Sequence, residues 1–451
     1  MREILVKNEE FKDSPVGRIP QDWSHEKLQR LCKTPIRDFG SFSMTNLINF
    51  LDSGIPFLKS EMIEEENLNT KNLTFISNQV HKLLKKSWVY PGNILYSKIG
   101  SALGKAVLYK GNLGVCNSNA AIAKIDIDEA IALPAYVVRV LNSQEGKQRL
   151  TKSIISLLPR INLTDLYNFD LPLPPREEQN KIAEILDTVD EAIARTSSLI
   201  IKLKQTKAGL LQDLLTRGLD EDGKLRDPQA HPEQFKDSPL GLIPKEWDLQ
   251  TLSSFSIQEV NGFVNGPFGS DLLASELRKE GIPVIYVRDI KPGLYNRVST
   301  VHVSDEKARD LSFCNVKYGD VLVAKVGDPP CDSAPYLLSS TSIVTQDVIR
   351  IRPRNDTNTY FLSSLINSEI ARKTVELITI AGTRKRVSLT EFKCIQLPKP
   401  PYKEQCEISS ILNSHDTRIR KEEAYLNKLK LQKQGLMQDL LTGKVRVRTI
   451  K

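Results

Sequence analysis

The sequence predicts a mixed α/β protein. Two globular domains are expected, joined by two long helices that pair as an antiparallel coiled coil with an internal pseudo-twofold. Three observations carry this expectation. The chain is written twice. Each half opens with short apolar runs broken by Gly, Pro and Asn. Each half closes on a long seven-residue apolar stripe.

The repeat comes first because it changes the domain arithmetic. A chain of 451 residues suggests three domains at about 150 residues each. Residues 11–23 read FKDSPVGRIPQDW and residues 235–247 read FKDSPLGLIPKEW, with nine of thirteen positions identical. Residues 202–216 (KLKQTKAGLLQDLLT) and 428–442 (KLKLQKQGLMQDLLT) match at eleven of fifteen. Between these echoes, Gly54-Ile55-Pro56 answers Gly281-Ile282-Pro283, and GNILYSKIG (92–100) answers GDVLVAKVG (319–327). Leu171-Pro172-Leu173-Pro174-Pro175 answers Leu397-Pro398-Lys399-Pro400-Pro401. An ordered series at nearly constant offset is a tandem duplication of about 225 residues, far longer than a solenoid repeat. The halves agree at their edges and diverge in the middle, as expected of a common frame carrying two different readers.

Residues 1–175 and 235–401 are the predicted globular domains. Their apolar runs at 120–125, 284–287, 321–326 and 348–351 read as strands, and residues 134–142 and 360–367 as helices. Long helices are expected over 176–218 and from 402 into a tail ending at 451. Prolines precede the first, and Glu177 and Glu178 suit the positive end of its dipole. The first stripe runs through Leu186, Val189, Ile193, Thr196, Ile200, Leu203, Lys207, Leu210 and Leu214. The second runs through Leu412, His415, Ile419, Glu422, Leu426, Leu429, Lys433, Leu436 and Leu440. Polar residues interrupt both at the same steps, so both helices are expected to use the same seam. A homodimer through these helices is the competing assembly. Residues 219–234 are polar, with Gly, Pro and Asp, and read as a linker.

Composition and motifs exclude several function classes. A chain 40% hydrophobic and 26% charged is neither mostly disordered nor collagen-like. No apolar run reaches membrane-spanning length, and residues 1–10 lack the apolar centre of a secretory signal. Six cysteines without CxxC spacing and five histidines without HxxxH spacing argue against a zinc site and for a reducing cytoplasm. No phosphate loop, GxSxG elbow or kinase signature occurs. Asp328-Pro329-Pro330-Cys331 resembles the Asp/Asn-Pro-Pro-aromatic loop of amino-group DNA methyltransferases, but the aromatic is missing, so a surface turn is expected. Residues 266–269 (GPFG) read as a constrained loop.

The net charge of +8 permits a nucleic-acid partner without demonstrating one. Residues 176–218 hold seven basic and seven acidic side chains, and residues 402–444 eight and six. The excess therefore lies mainly outside the helices, where DNA contact is expected. The candidates are Lys98, Arg160 and Asn162 in the first half. Lys325, Arg352, Arg384, Lys385 and Arg386 are those of the second. The last three belong to GTRKR (382–386), whose glycine permits close backbone approach to a duplex. A merely solvated basic loop, and turn bonding by Asn162, remain open alternatives.

These paired segments together resemble the DNA specificity subunits of type I restriction–modification enzymes (HsdS). The resemblance spans essentially the whole chain. It rests on the FKDSPxGxIPxxW pair, the Leu-Pro-x-Pro-Pro helix starts, the GLxQDLLT helix ends, and Phe39-Gly40-Ser41 with Phe268-Gly269-Ser270. It implies two target-recognition domains, each reading half of a split asymmetric DNA target, with the helices setting the spacing. It further implies a non-catalytic chain. Two modification (methyltransferase) subunits would methylate adenine N6, and restriction subunits would join them. S-adenosylmethionine, ATP and Mg would be used by those partners, with no cofactor in this chain and the prokaryotic cytoplasm as its setting. The alternatives are a self-contained DNA methyltransferase and a coiled-coil scaffold without DNA selectivity.

Overall fold

The apolar runs fold as strands covered on both faces, which is why they read as continuous rather than alternating. The computed structural model describes residues 3–7, 10–39, 42–151, 159–380, 382 and 385–449. The chain divides into two compact units, Met1–Ser197 with Ala424–Lys451, and Ser198–Glu423.

In the first unit, Ile94–Ser97 lies between Ala106–Leu108 and Ile122–Ile125 in an antiparallel sheet. A second sheet has the order Thr74–Ile76, Ile55–Leu58, Cys116–Ser118, Trp88–Val89, with its central pair parallel. A separate ladder joins Ser24–Lys27 to Asp170–Leu173. The second unit repeats this plan. Val321–Ala324 lies between Val348–Ile351 and Ser333–Pro335, with Phe263–Asn265 at the far edge. Ile282–Ile285 runs parallel to Ser342–Val344, and Asp248–Thr251 pairs with Gln396–Lys399. The predicted helices appear as Pro134–Asn142 and Thr359–Ile366.

The long helices are Arg176–Thr216 and Tyr402–Leu441. Each unit contains the start of one and the end of the other. In the first unit, Ile182 and Leu186 share a core with Leu436, Leu440 and Leu441. In the second, Leu210, Leu214 and Leu215 share one with Ile408 and Leu412. Within each unit the segments therefore run antiparallel. Every apolar seam position read from the heptads is buried or half-buried, including Val189, Ile193, Ile200, Leu203, Ile419, Leu426 and Leu429. The shared lysine step is paired: Lys207 Nζ donates to Asp416 at 2.5 Å, and Lys433 Nζ lies 2.7 Å from Asp190 and 2.9 Å from Glu66.

Two segments differ from the sequence reading. Residues 445–449, read as tail, form the strand Val445–Thr449, which pairs antiparallel with Glu3–Lys7. Residues 219–234, read as linker, begin with a packed turn. Leu219 bridges Leu225, and the buried Arg226 reaches Glu404. Both differences have one cause. Each unit needs a cation just beyond one helix to match a buried carboxylate in the first turn of the other, a pairing with no local sequence signature.

Candidate nucleic-acid interface

The same small frame appears at one sheet end in each unit. In the first, Ile161 N–H donates to the Lys98 carbonyl at 3.0 Å, and Ile99 bridges Arg160. In the second, Val387 N–H donates to the Lys325 carbonyl at 3.3 Å, and Val326 bridges Arg386. A short helix follows in both, Leu163–Tyr167 and Leu389–Cys394. Arg160 and Arg386 thus occupy equivalent exposed positions, and neither has a side-chain partner among the described residues. Gly327 N–H donates to the Lys385 carbonyl at 3.1 Å, drawing the Asp328 turn onto the same frame.

The other candidates separate by burial and pairing. Lys385 is exposed, with Nζ 2.8 Å from Asp328. Lys325 is half-buried, its ammonium 5.8 Å from the centre of the exposed Phe268 ring. Asn162 is exposed at the start of its helix, and its backbone N–H donates to Asp165 at 2.8 Å. Arg384 lies outside the described residues.

Two candidates are corrected. The Lys98 side chain is 1% exposed and bonded to Asp38 at 2.6 Å, so it is a buried ion pair rather than a DNA contact. Arg352 is held by both oxygens of Asp320, at 2.9 and 3.0 Å. Asp320 is buried beside an apolar strand, and an unpaired carboxylate there would be costly. Arg352 is therefore committed to neutralising it.

The Lys98 pair has a titrating neighbour. Lys124 is buried and donates to Ser118 at 3.2 Å. Burial first, then Arg37 and Lys98, with Asp38 opposing, pulls its ammonium down from 10.5 to about 7. From there up to the ordinary lysine range, the unfolded chain holds a proton that the folded chain has released. Stability therefore rises with pH across that window and levels off below it. Lys124→Met is expected to flatten this rise by up to roughly 1.4 kcal/mol per pH unit. Urea unfolding of both proteins between about pH 7 and pH 9.5 checks it; equal pH slopes would reject the assignment.

The Asp328-Pro329-Pro330-Cys331 passage is a turn with its aspartate exposed and paired to Lys385. Cys331 is fully buried, and burial pushes its thiol up to about 12. Nothing in this turn stands where a base-stacking aromatic would. Among the described residues, no group of three or more His, Cys, Asp or Glu side chains is placed to hold a metal ion. No described helix is long and apolar enough to cross a membrane.

Sequence reasoning missed the buried polar centres. Glu178 accepts from Trp23 Nε1 at 3.0 Å and from Arg446 at 2.7 Å. Glu404 accepts from Trp247 Nε1 at 2.9 Å and from Arg226 at 2.7 Å. The repeated tryptophans of the FKDSP segments thus lock onto the first turns of the long helices. The signal was present in the repeat, as Glu-Gln follows both proline-rich starts. The sequence marks Phe268 as part of a constrained loop and of the paired Phe-Gly-Ser motif, but does not show its exposure.

A family model described as type I restriction modification DNA specificity domain matches residues 21–205 and 269–431. A Methanocaldococcus jannaschii protein assigned as the MjaX type I restriction enzyme specificity subunit is 26% identical, with 99% of each chain covered. The MjaVIII specificity subunit of the same organism is 24% identical, covering 99% of this chain and 98% of its own. Among solved structures, the type I restriction–modification S subunit from M. genitalium aligns with a TM-score of 0.54 at 15% identity. The alignment covers 93% of this chain and 96% of that one. A chain from a study of type I restriction–modification complex assembly aligns with a TM-score of 0.56 at 16% identity, covering 94% and 99%. Both structural likenesses bear on the fold.

Proposed function

This chain belongs to the type I restriction modification DNA specificity family, and from that premise we propose that it reads a bipartite, asymmetric duplex target and directs partner subunits to it. The observation that carries this reading is the frame built twice. Both units share the bridge that carries Arg160 or Arg386, while the neighbouring chemistry differs. The first unit sets Lys98 against Asp38, and the second sets Lys325 against Phe268. A shared cation suits the phosphodiester that every half-site has, and divergent loops suit base edges that differ. Two tethered readers gain effective concentration once one engages.

The chemistry belongs to the partners. Two modification subunits transfer methyl groups from S-adenosylmethionine to adenine N6. Restriction subunits add ATP- and Mg-dependent cleavage in a prokaryotic cytoplasm. Co-expression with the modification subunit, followed by mapping of methylated adenines, tests the reading. Two different half-sites separated by an unread gap are expected. Methylation without sequence preference would reject it, and so would methyl transfer by the purified chain alone.

A further inference from the structure

We propose that Phe268 is a base-reading residue of the second unit, its ring edge contacting the C5 methyl of a thymine in the major groove. This rests on the DNA-reading function proposed above. Phe268 is 58% exposed, on a loop anchored to the sheet at Gly266. Gly266 N–H donates to the carbonyls of Thr345 at 3.2 Å and Val348 at 3.3 Å. A Cβ at Gly266 would meet the Val344 carbonyl at 2.1 Å, so only glycine lets the loop sit this close to the sheet.

Lys325 lies over one face of the ring, 5.8 Å from its centre. Among the described residues Lys325 has no carboxylate partner. At the matching place in the first unit, Lys98 is consumed by Asp38, and Phe39 of the paired Phe-Gly-Ser motif is buried. The second unit has therefore freed both the cation and the ring. Beside the ring is a hollow of about 280 Å³ lined by Val260, Phe263, Leu389, Lys393 and one acid, Asp271, among others. Arg386 stands exposed on the strand bridged to Val326.

An exposed apolar ring set among cations fits an occupant that offers negative charge and an apolar edge together. Duplex DNA does so through its phosphates and the thymine methyl, an established contact for phenylalanine. A wedge between base steps would need both ring faces, and Lys325 covers one.

The test uses the full chain assembled with its modification subunit. Once the methylated target is mapped, each thymine is replaced singly by deoxyuridine, which lacks the methyl. Methylation is measured at sub-saturating duplex for wild type, Phe268→Ala and Phe268→Leu. One replacement, in one half-site only, is expected to slow wild type about 5- to 10-fold. Phe268→Ala should slow the thymine target by a similar factor and be indifferent to that replacement, a coupling that double-mutant cycles isolate. Phe268→Leu, which keeps an apolar contact, should retain part of the discrimination. A mapped target whose deoxyuridine sensitivity is unchanged in Phe268→Ala overturns this inference alone, as does a wild type indifferent to deoxyuridine at every thymine of both half-sites. Absence of any sequence-defined methylation by wild type overturns the underlying function, and this inference with it.

Discussion

Replacing Glu404 with alanine is expected to cost about 3–5 kcal/mol, the usual penalty for leaving one member of a buried ion pair uncompensated. The Glu404 carboxylate is buried in the first turn of its helix. It accepts from the Leu219 N–H at 2.7 Å, Arg226 Nη1 at 2.7 Å and Trp247 Nε1 at 2.9 Å. Removing it strands a guanidinium, an indole N–H and a backbone N–H together. Glu246 is a poor substitute: it lies 3.4 Å from Arg226 and is 67% exposed, so water screens it. Gly218, with φ +64°, is what lets the turn sit this close, since a Cβ there would meet Glu404 Oε1 and the Trp247 ring. Hydrogen exchange locates the loss. Protection should fall at Leu219, Arg226 and Trp247, with the first unit's Trp23–Glu178–Arg446 centre retained. Glu404→Gln, which keeps an acceptor oxygen, should cost less than alanine. Equal protection throughout Glu404→Ala would show that the carboxylate does not close this unit.

The heptads show what the sequence could reveal. A seam is a periodic property of one segment, so Leu186, Ile200, Leu412 and Leu429 announce themselves by spacing. Even the polar steps were legible, as Lys207 and Lys433 occur in phase. Their partners were less so, because Glu66 comes from a distant turn. The same distinction explains the site. Arg160 and Arg386 could be nominated from local charge and remain exposed. Lys98 and Arg352 look no different in sequence, yet carboxylates 60 and 32 residues away claim them. A cation's availability depends on which acid the fold brings to it. The exposure of Phe268 is hidden for a similar reason. The Phe-Gly-Ser pair looks equivalent in both halves, but Phe39 joins a core and Phe268 does not.

Arg160→Ala combined with Arg386→Ala is expected to lower the DNA affinity of the assembled methyltransferase about 100-fold at about 0.15 M salt, roughly tenfold for each lost contact. Both arginines are exposed at the same step of the repeated frame, beside Ile99 and Val326. The loops around them have diverged, so a group common to both must face something common to both half-sites. The phosphodiester is that common group. The loss should therefore be similar on specific and scrambled duplexes, and the slope of log affinity against log salt should become shallower by about 2. Arg352→Ala serves as the contrast. Its guanidinium neutralises Asp320, so it should lower stability and leave the salt slope alone. Titrations across a salt series with both duplexes separate the outcomes. An unchanged slope in the double variant would place Arg160 and Arg386 away from DNA. A loss confined to the specific duplex would make them base readers instead, and the shared frame would then carry sequence information in both units.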